Sequence, residues 1–246
     1  MHRLFSDIDE PDLLTPIQEA TMAPSLPLLD AQDVTFSHGG RQLLQPVSLQ
    51  LSPGDVVVLT GASGSGKSTF LKILASLLTP TTGEIRFQGR DIATLRAEEY
   101  RQQVSYCFQT PQLFGQTVYD NLALPWQLRR QTPPQAKLKA ALESVNLSPD
   151  MLNAAIEPLS GGEKQRIGLL RHLQFVPAML LLDEVTSALD EENSLTVQSL
   201  IRRLVAEHPM AVVWISHDVN DIQQAEHVLR LTSPDREKMN ASDNNK

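Results

Sequence analysis

Apolar residues in this chain fall into short blocks that alternate between a strand period and a helix period. Residues 28–36 and 46–51 read as strands, with Gly39-Gly40 as the turn between them. Residues 55–60 (Asp-Val-Val-Val-Leu-Thr) are apolar on both faces, as a strand buried in a parallel sheet should be. The spacing predicts a helix over 67–77, stopped near Pro80, and further strands at 84–88 and 104–108. From Pro111 to Pro158 the character changes. Pro125, Pro133, Pro134 and Pro149 interrupt helix-forming segments such as 135–145, which predicts an inserted helical region. Beyond it, helices over 163–175 and 194–207 alternate with strands over 179–182 and 211–216. No internal repeat is present. The pattern predicts a three-layer α/β core carrying a helical subdomain.

Composition narrows the class. A chain of 246 residues that is 41% apolar and 20% charged is an ordinary globular protein with room for a sizeable core. A net charge of −8 argues against a large nucleic-acid-binding face, so no nucleic-acid partner is expected. Cys107 is the single cysteine, which excludes an intrachain disulfide framework and points to a reducing compartment. In its strand, that residue fits a small core side chain better than a redox sensor. No run approaches the roughly 18 to 20 apolar residues that cross a bilayer. Residues 1–27 are acidic and proline-interrupted, with no apolar leader segment, and are expected to lack fixed structure. Translation starting at Met22 is one hypothesis for this stretch. Residues 233–246 read as a polar tail. The expected place is the cytoplasm, with any membrane role supplied by a separate spanning partner.

Three stretches carry chemistry. Gly61-Ala62-Ser63-Gly64-Ser65-Gly66-Lys67-Ser68 fits G-x-x-x-x-G-K-[ST] between a predicted strand and helix. Small residues there let successive backbone N–H groups close around a phosphate at the positive end of a helix. Lys67 then supplies a mobile charge to the β- and γ-phosphates, and the Ser68 hydroxyl suits Mg²⁺. Leu182-Asp183-Glu184 places two carboxylates at the carboxyl end of a buried strand, the edge where open α/β sheets bind ligands. Asp183 suits a metal held through water and Glu184 the activation of an attacking water, although an Asp-Glu helix cap is the plainer alternative. Gln109 and His217 each follow an apolar strand and should emerge at that same edge. The other histidines (His2, His38, His172, His208, His227) show no ligand spacing.

The third stretch is Leu159-Ser160-Gly161-Gly162-Glu163-Lys164-Gln165-Arg166. Ser160 with Glu163 is a capping box, which is good local chemistry in its own right. Two glycines in a first helical turn nevertheless cost roughly 1 kcal/mol each relative to alanine. A bare helix start suits a close anion contact, and its distance along the chain from Lys67 suggests a phosphate bound by another subunit.

The order of these stretches, with Ser187-Ala188-Leu189-Asp190 between Glu184 and His217, resembles the nucleotide-binding domain of ATP-binding cassette (ABC) proteins over about residues 28–231. The resemblance implies a P-loop NTPase fold with a mainly parallel core sheet, an antiparallel β part and a helical subdomain at about 111–175, within an ATPase domain at 28–232. It implies that the Gly61–Ser68 loop, with Thr69, binds ATP and Mg²⁺. Metal contact falls to Ser68, Gln109 and Asp183, and catalysis to Lys67, Gln109, Glu184 and His217. It further implies a head-to-tail dimer in which Ser160, Gly161, Gly162 and Asp190 of a second copy close the site. Phe36 falls where the family stacks adenine on an aromatic ring, a core role being its alternative. The wording around Arg101–Cys107, Gln109-Thr110-Pro111, Leu113-Phe114-Gly115 and Thr117–Leu122 is similar to the ATPase subunits of bacterial FetAB-type exporters, associated with iron export and oxidative-stress resistance. That likeness implies an integral membrane permease as partner and a place on the cytoplasmic face of the bacterial inner membrane. The segment from Gln109 to about Leu128 would grip the permease. Rival readings are an ABC importer, a lipid or lipoprotein system, a soluble ABC protein, and a kinase or GTPase sharing only the phosphate loop.

Overall fold

A computed structural model describes residues 26–233. The expectations for 1–25 and 234–246, including the start at Met22, lie outside the described residues. The chain opens with a hairpin, β1 (Leu29–His38) and β2 (Arg41–Leu51). The strands meet at His38 and Arg41, so Gly39 and Gly40 alone make the turn, with φ of 58° and 76°. Positive φ at both central residues is the turn whose twist matches a hairpin. β2 therefore starts earlier than expected, at Arg41. Its polar start and Pro46 disguised it, but β2 is an edge strand, where a missing N–H is tolerated. β4 (Thr82–Phe87) and β5 (Arg90–Asp91) complete an antiparallel sheet ordered β2-β1-β4-β5.

The second sheet is parallel. It holds β3 (Val56–Gly61), β6 (Val104–Cys107), β7 (Met179–Asp183), β8 (Ala211–Ile215) and β9 (His227–Leu231), ordered β6-β7-β8-β3-β9. The two sheets share one core with α1 (Lys67–Leu74), whose Phe70 and Ile73 pack among Leu29, Leu44, Leu59 and Leu181. α1 stops three residues before its expected end. Ser76 turns left-handed (φ 55°), and the Leu77 amide bonds back to the Lys72 carbonyl, closing the helix. On the opposite sheet face, Leu180, Leu182 and Trp214 pack against Val197 and Ile201 of α6 (Glu191–Glu207). Between β6 and β7, α3 (Val118–Leu128), α4 (Gln135–Glu143) and α5 (Gly161–Leu173) enclose a separate cluster that includes Leu122, Leu138 and Ile167. Elements without a counterpart in the sequence pattern include β5, α2 (Ala97–Gln103), β9, and α7 (Val219–Gln224). Among the described residues, no helix is long and apolar enough to cross a membrane.

Candidate functional site

β3, β6, β7 and β8 run in parallel, so their carboxyl ends lie along one edge. The loop from Gly61 to Gly66 joins the end of β3 to α1 there. Gly66 sits at φ 91°, and a Cβ on it would lie 2.6 Å from the Leu43 carbonyl oxygen, so no side chain fits. It caps α1 without any side-chain hydrogen bond, and α1 has no acidic residue in its first turn. Lys67 is buried and donates to the carbonyls of Gly61 (2.9 Å) and Ala62 (3.2 Å). Burial pushes its pKa down, against the opposing pull of Glu184 and then Asp183. The Ser65 hydroxyl is buried with no hydrogen-bond partner among the described residues.

The two carboxylates divide at the end of β7. Asp183, the last strand residue, is buried and accepts two hydrogen bonds: Ser68 Oγ at 2.9 Å on one oxygen and Tyr106 Oη at 2.6 Å on the other. Burial first, then the bond to Asp183, pushes the Tyr106 phenol far above its usual range, so it remains a donor. Glu184 leaves the strand at φ 51°, a left-handed turn that costs about 1–2 kcal/mol in a residue with a side chain. Ser187 holds that turn, its hydroxyl donating to the Glu184 carbonyl at 2.8 Å. The turn sets the Glu184 carboxylate between Gln109 Nε2 (2.8 Å) and His217 Nε2 (3.0 Å), one on each oxygen. Gln109 and His217 thus converge on Glu184 itself.

Ser63, Gly64, Gly66, Lys67, Ser68, Thr69, Gln109, Glu184 and His217 line one open cleft of about 580 Å³. Its donor set fits the two expected ligands. A turn of bare backbone, an ammonium and the start of α1 suit a polyphosphate, while the oxygens of Ser68 and Asp183 suit a hard cation such as Mg²⁺. Leu43 also lines the cleft, a contribution its position in a polar stretch of β2 concealed. Phe36 does not line it. That ring is half-buried and packs against the core between the sheets.

Ser160, Gly161, Gly162 and Asp190 do not line this cleft. Ser160 caps α5, its amide donating to Glu163 Oε2 at 2.8 Å and its Oγ accepting from the Glu163 amide at 3.2 Å. Those bonds hold the Glu163 carboxyl below its usual range. The two glycines differ. A Cβ on Gly161 would meet nothing within 4 Å, whereas one on Gly162 would press to 3.2 Å from Leu189. Gly162 therefore has a packing reason within this chain, which the sequence reading missed. Asp190 caps α6 through the Asn193 amide at 2.9 Å, and the Asn193 side-chain oxygen accepts from Arg166, tying α6 to α5. Cys107 is buried and its thiol is pushed up to about 12 by that burial, so it is an inert core residue.

Comparison with known proteins adds four findings. A family model described as "ABC transporter" matches residues 44–187. The chain is 50% identical over 210 residues to the probable iron export ATP-binding protein FetA of Escherichia coli (strain K12), covering 85% of this chain and 93% of that protein. It is 37% identical over 212 residues to the cell division ATP-binding protein FtsE of the same strain, covering 81% and 95%. Among solved structures it is similar to the dimeric post-hydrolysis state of the ATP-binding cassette MJ0796 bound to ADP and Pi. The TM-score is 0.75 at 27% identity, over 84% of this chain and 96% of that one.

Proposed function

This chain belongs to the ABC transporter family as an ATP-binding, ATP-hydrolysing subunit, and from that premise we propose that it powers iron export through a separate membrane permease on the cytoplasmic face of the bacterial inner membrane. The observation that carries the catalytic reading is the Gln109–Glu184–His217 convergence beside Lys67. Glu184 is the general base that takes a proton from the attacking water. Gln109 and His217 hold its two oxygens in place, which keeps the base aimed into the cleft. The loop amides and Lys67 bind the β- and γ-phosphates of ATP. Ser68 and Asp183, with Gln109 at the rim, would hold Mg²⁺, which when bound neutralises charge developing on the phosphate oxygens. The ATPase domain is residues 28–232, with the helical subdomain at about 111–175.

Two copies arranged head to tail would complete each site, with Ser160, Gly161, Gly162 and Asp190 of one copy facing the phosphates held by the other. The dimeric ADP-bound relative supports this arrangement. The cargo rests on the 50% identity to a probable iron exporter, against 37% to the cell division relative.

Glu184→Gln tests the chemistry. It should keep ATP affinity, lower turnover by roughly 10²–10⁴-fold and trap an ATP-bound dimer on size exclusion. Fast multiple turnover by that variant removes Glu184 from the role of base. For the cargo, cells lacking the protein should retain more iron and survive peroxide less well. Unchanged iron content with intact ATPase activity would leave the enzyme assignment standing and discard iron.

A further inference from the structure

Alternation along β6 carries Val104 and Tyr106 to the same sheet face as Met179 and Leu181 of β7, against α1. Asp183 continues that alternation, so the Tyr106 hydroxyl arrives beside its carboxylate. The tyrosine is 5% exposed. A phenylalanine would fill the same space, whereas a buried hydroxyl is retained at a cost unless it has a partner. Here the partner is the carboxylate read above as the metal-holding one, at 2.6 Å. The two Asp183 oxygens are thereby made unequal. One is engaged by Tyr106 from the core side, and the other meets Ser68 on α1.

We infer that Tyr106 is a positioning residue for the metal-dependent step of nucleotide binding. Its hydroxyl locks one oxygen of Asp183 so that the other stays aligned with Ser68 and is free to exchange that hydroxyl for a cation held on ATP. The inference rests on the proposed role of Asp183 and deepens it. A carboxylate bonded on one side cannot rotate to satisfy itself elsewhere, and outer partners of this kind raise metal affinity by orienting the ligand. Tyr106 also stacks edge-on against Phe108 at 4.6 Å, which places the lock next to the segment leading to Gln109.

A matched control is built into the fold. Tyr100 is also buried, and its hydroxyl donates at 2.6 Å to the Leu74 carbonyl, on the far end of α1 from the cleft. Tyr100→Phe and Tyr106→Phe each delete one short buried hydrogen bond while keeping the ring. The measurement is the affinity of the full chain for a fluorescent ATP analogue in excess Mg²⁺ and again in EDTA, with thermal stability recorded for both variants and for Asp183→Asn. The ratio of the two affinities should fall about tenfold in Tyr106→Phe, the low end for outer-shell partners. It should stay at the wild-type value in Tyr100→Phe and collapse in Asp183→Asn. Mn²⁺ binding followed by electron paramagnetic resonance should weaken in the same order. A wild-type ratio in Tyr106→Phe, with the ratio lost in Asp183→Asn, overturns the positioning role and leaves the Asp183 assignment intact. An equal loss of affinity with and without Mg²⁺ in Tyr106→Phe overturns it as well. A wild-type ratio in Asp183→Asn removes the metal role of that carboxylate, and the inference falls with it.

Discussion

Helices α1 and α5 both begin on glycine-bearing turns, and they finish those first turns in opposite ways. α1 starts from Gly66 in a left-handed conformation, with no side-chain cap and no acidic residue nearby. Its first side chain is an ammonium. α5 starts from Ser160, whose hydroxyl and amide are both engaged by Glu163, and that glutamate is held ionised by those bonds. A helix end that has already capped itself, with its own carboxylate in the first turn, is a poor anion site in isolation. The contrast fits the division of labour proposed above. On that proposal the α1 turn would bind phosphate within its own subunit, while the α5 turn, already capped, would contribute once a partner brings charge and geometry to it.

The sharpest way to break that contrast is to disable each end separately. Lys67→Ala and Ser160→Arg should each lower ATPase activity by at least about 100-fold, since each removes charge stabilisation or access at both composite sites. Mixing the two variants should restore activity well above either alone, because a mixed dimer keeps one intact pair of ends. No recovery in a mixture shown to form mixed dimers would place both ends in one subunit's site. Next come the glycines. Gly66→Ala forces a side chain into a left-handed position against the Leu43 carbonyl and should cost about 1–3 kcal/mol of stability. Gly161→Ala has open space and should raise stability by up to about 1 kcal/mol. Denaturant unfolding of both separates them, and equal losses would erase the difference between the two turns.

Smaller effects sharpen the picture at α5. Ser160→Ala removes the cap and should cost about 1 kcal/mol. ATP affinity of the dilute, monomeric protein should not change, and an altered affinity there would mean that α5 acts within its own subunit. The last effect lies at the other end of α5. His172 is partly exposed, yet its imidazole sits deep among protein atoms, and burial followed by the Arg171 charge pushes its pKa down to about 3. Below pH 6.5 the unfolded chain gains a proton that the folded chain refuses, so stability declines as pH falls from 6.5 toward 3. With solvent screening the slope should not exceed about 1 kcal/mol per pH unit. His172→Gln should flatten it in thermal melts at pH 7, 6 and 5.

The loop, the carboxylate pair and the α5 turn were legible because each binds several constraints into consecutive residues. The sheet edge that unites Gln109, Glu184 and His217 was legible too, since a strand period followed by a polar residue places that residue at a strand end. What stayed hidden depends on neighbours remote in the chain. Tyr106 reads as one more apolar strand position until β7 is placed beside it. β9 (His-Val-Leu-Arg-Leu) is mostly exposed at the sheet border, so its residues lack the apolar run that marks an inner strand. α3 carries Pro125, which argued against a continuous helix there. The early start of β2 was concealed by polar residues that only an edge strand accepts.

The parallel sheet order has a consequence for the birth of the protein. Ser68 and Asp183, which share a hydrogen bond, are 115 positions apart, and Gln109 and Glu184 are 75 apart. Such distant pairings close late, because the entropy of each large loop must be overcome first. A nascent chain carries the whole phosphate loop long before His217 has left the ribosome, yet it has no assembled site until β7 and β8 dock beside β3 and β6. Synthesis order thereby keeps the ATPase silent until nearly the entire domain has been made.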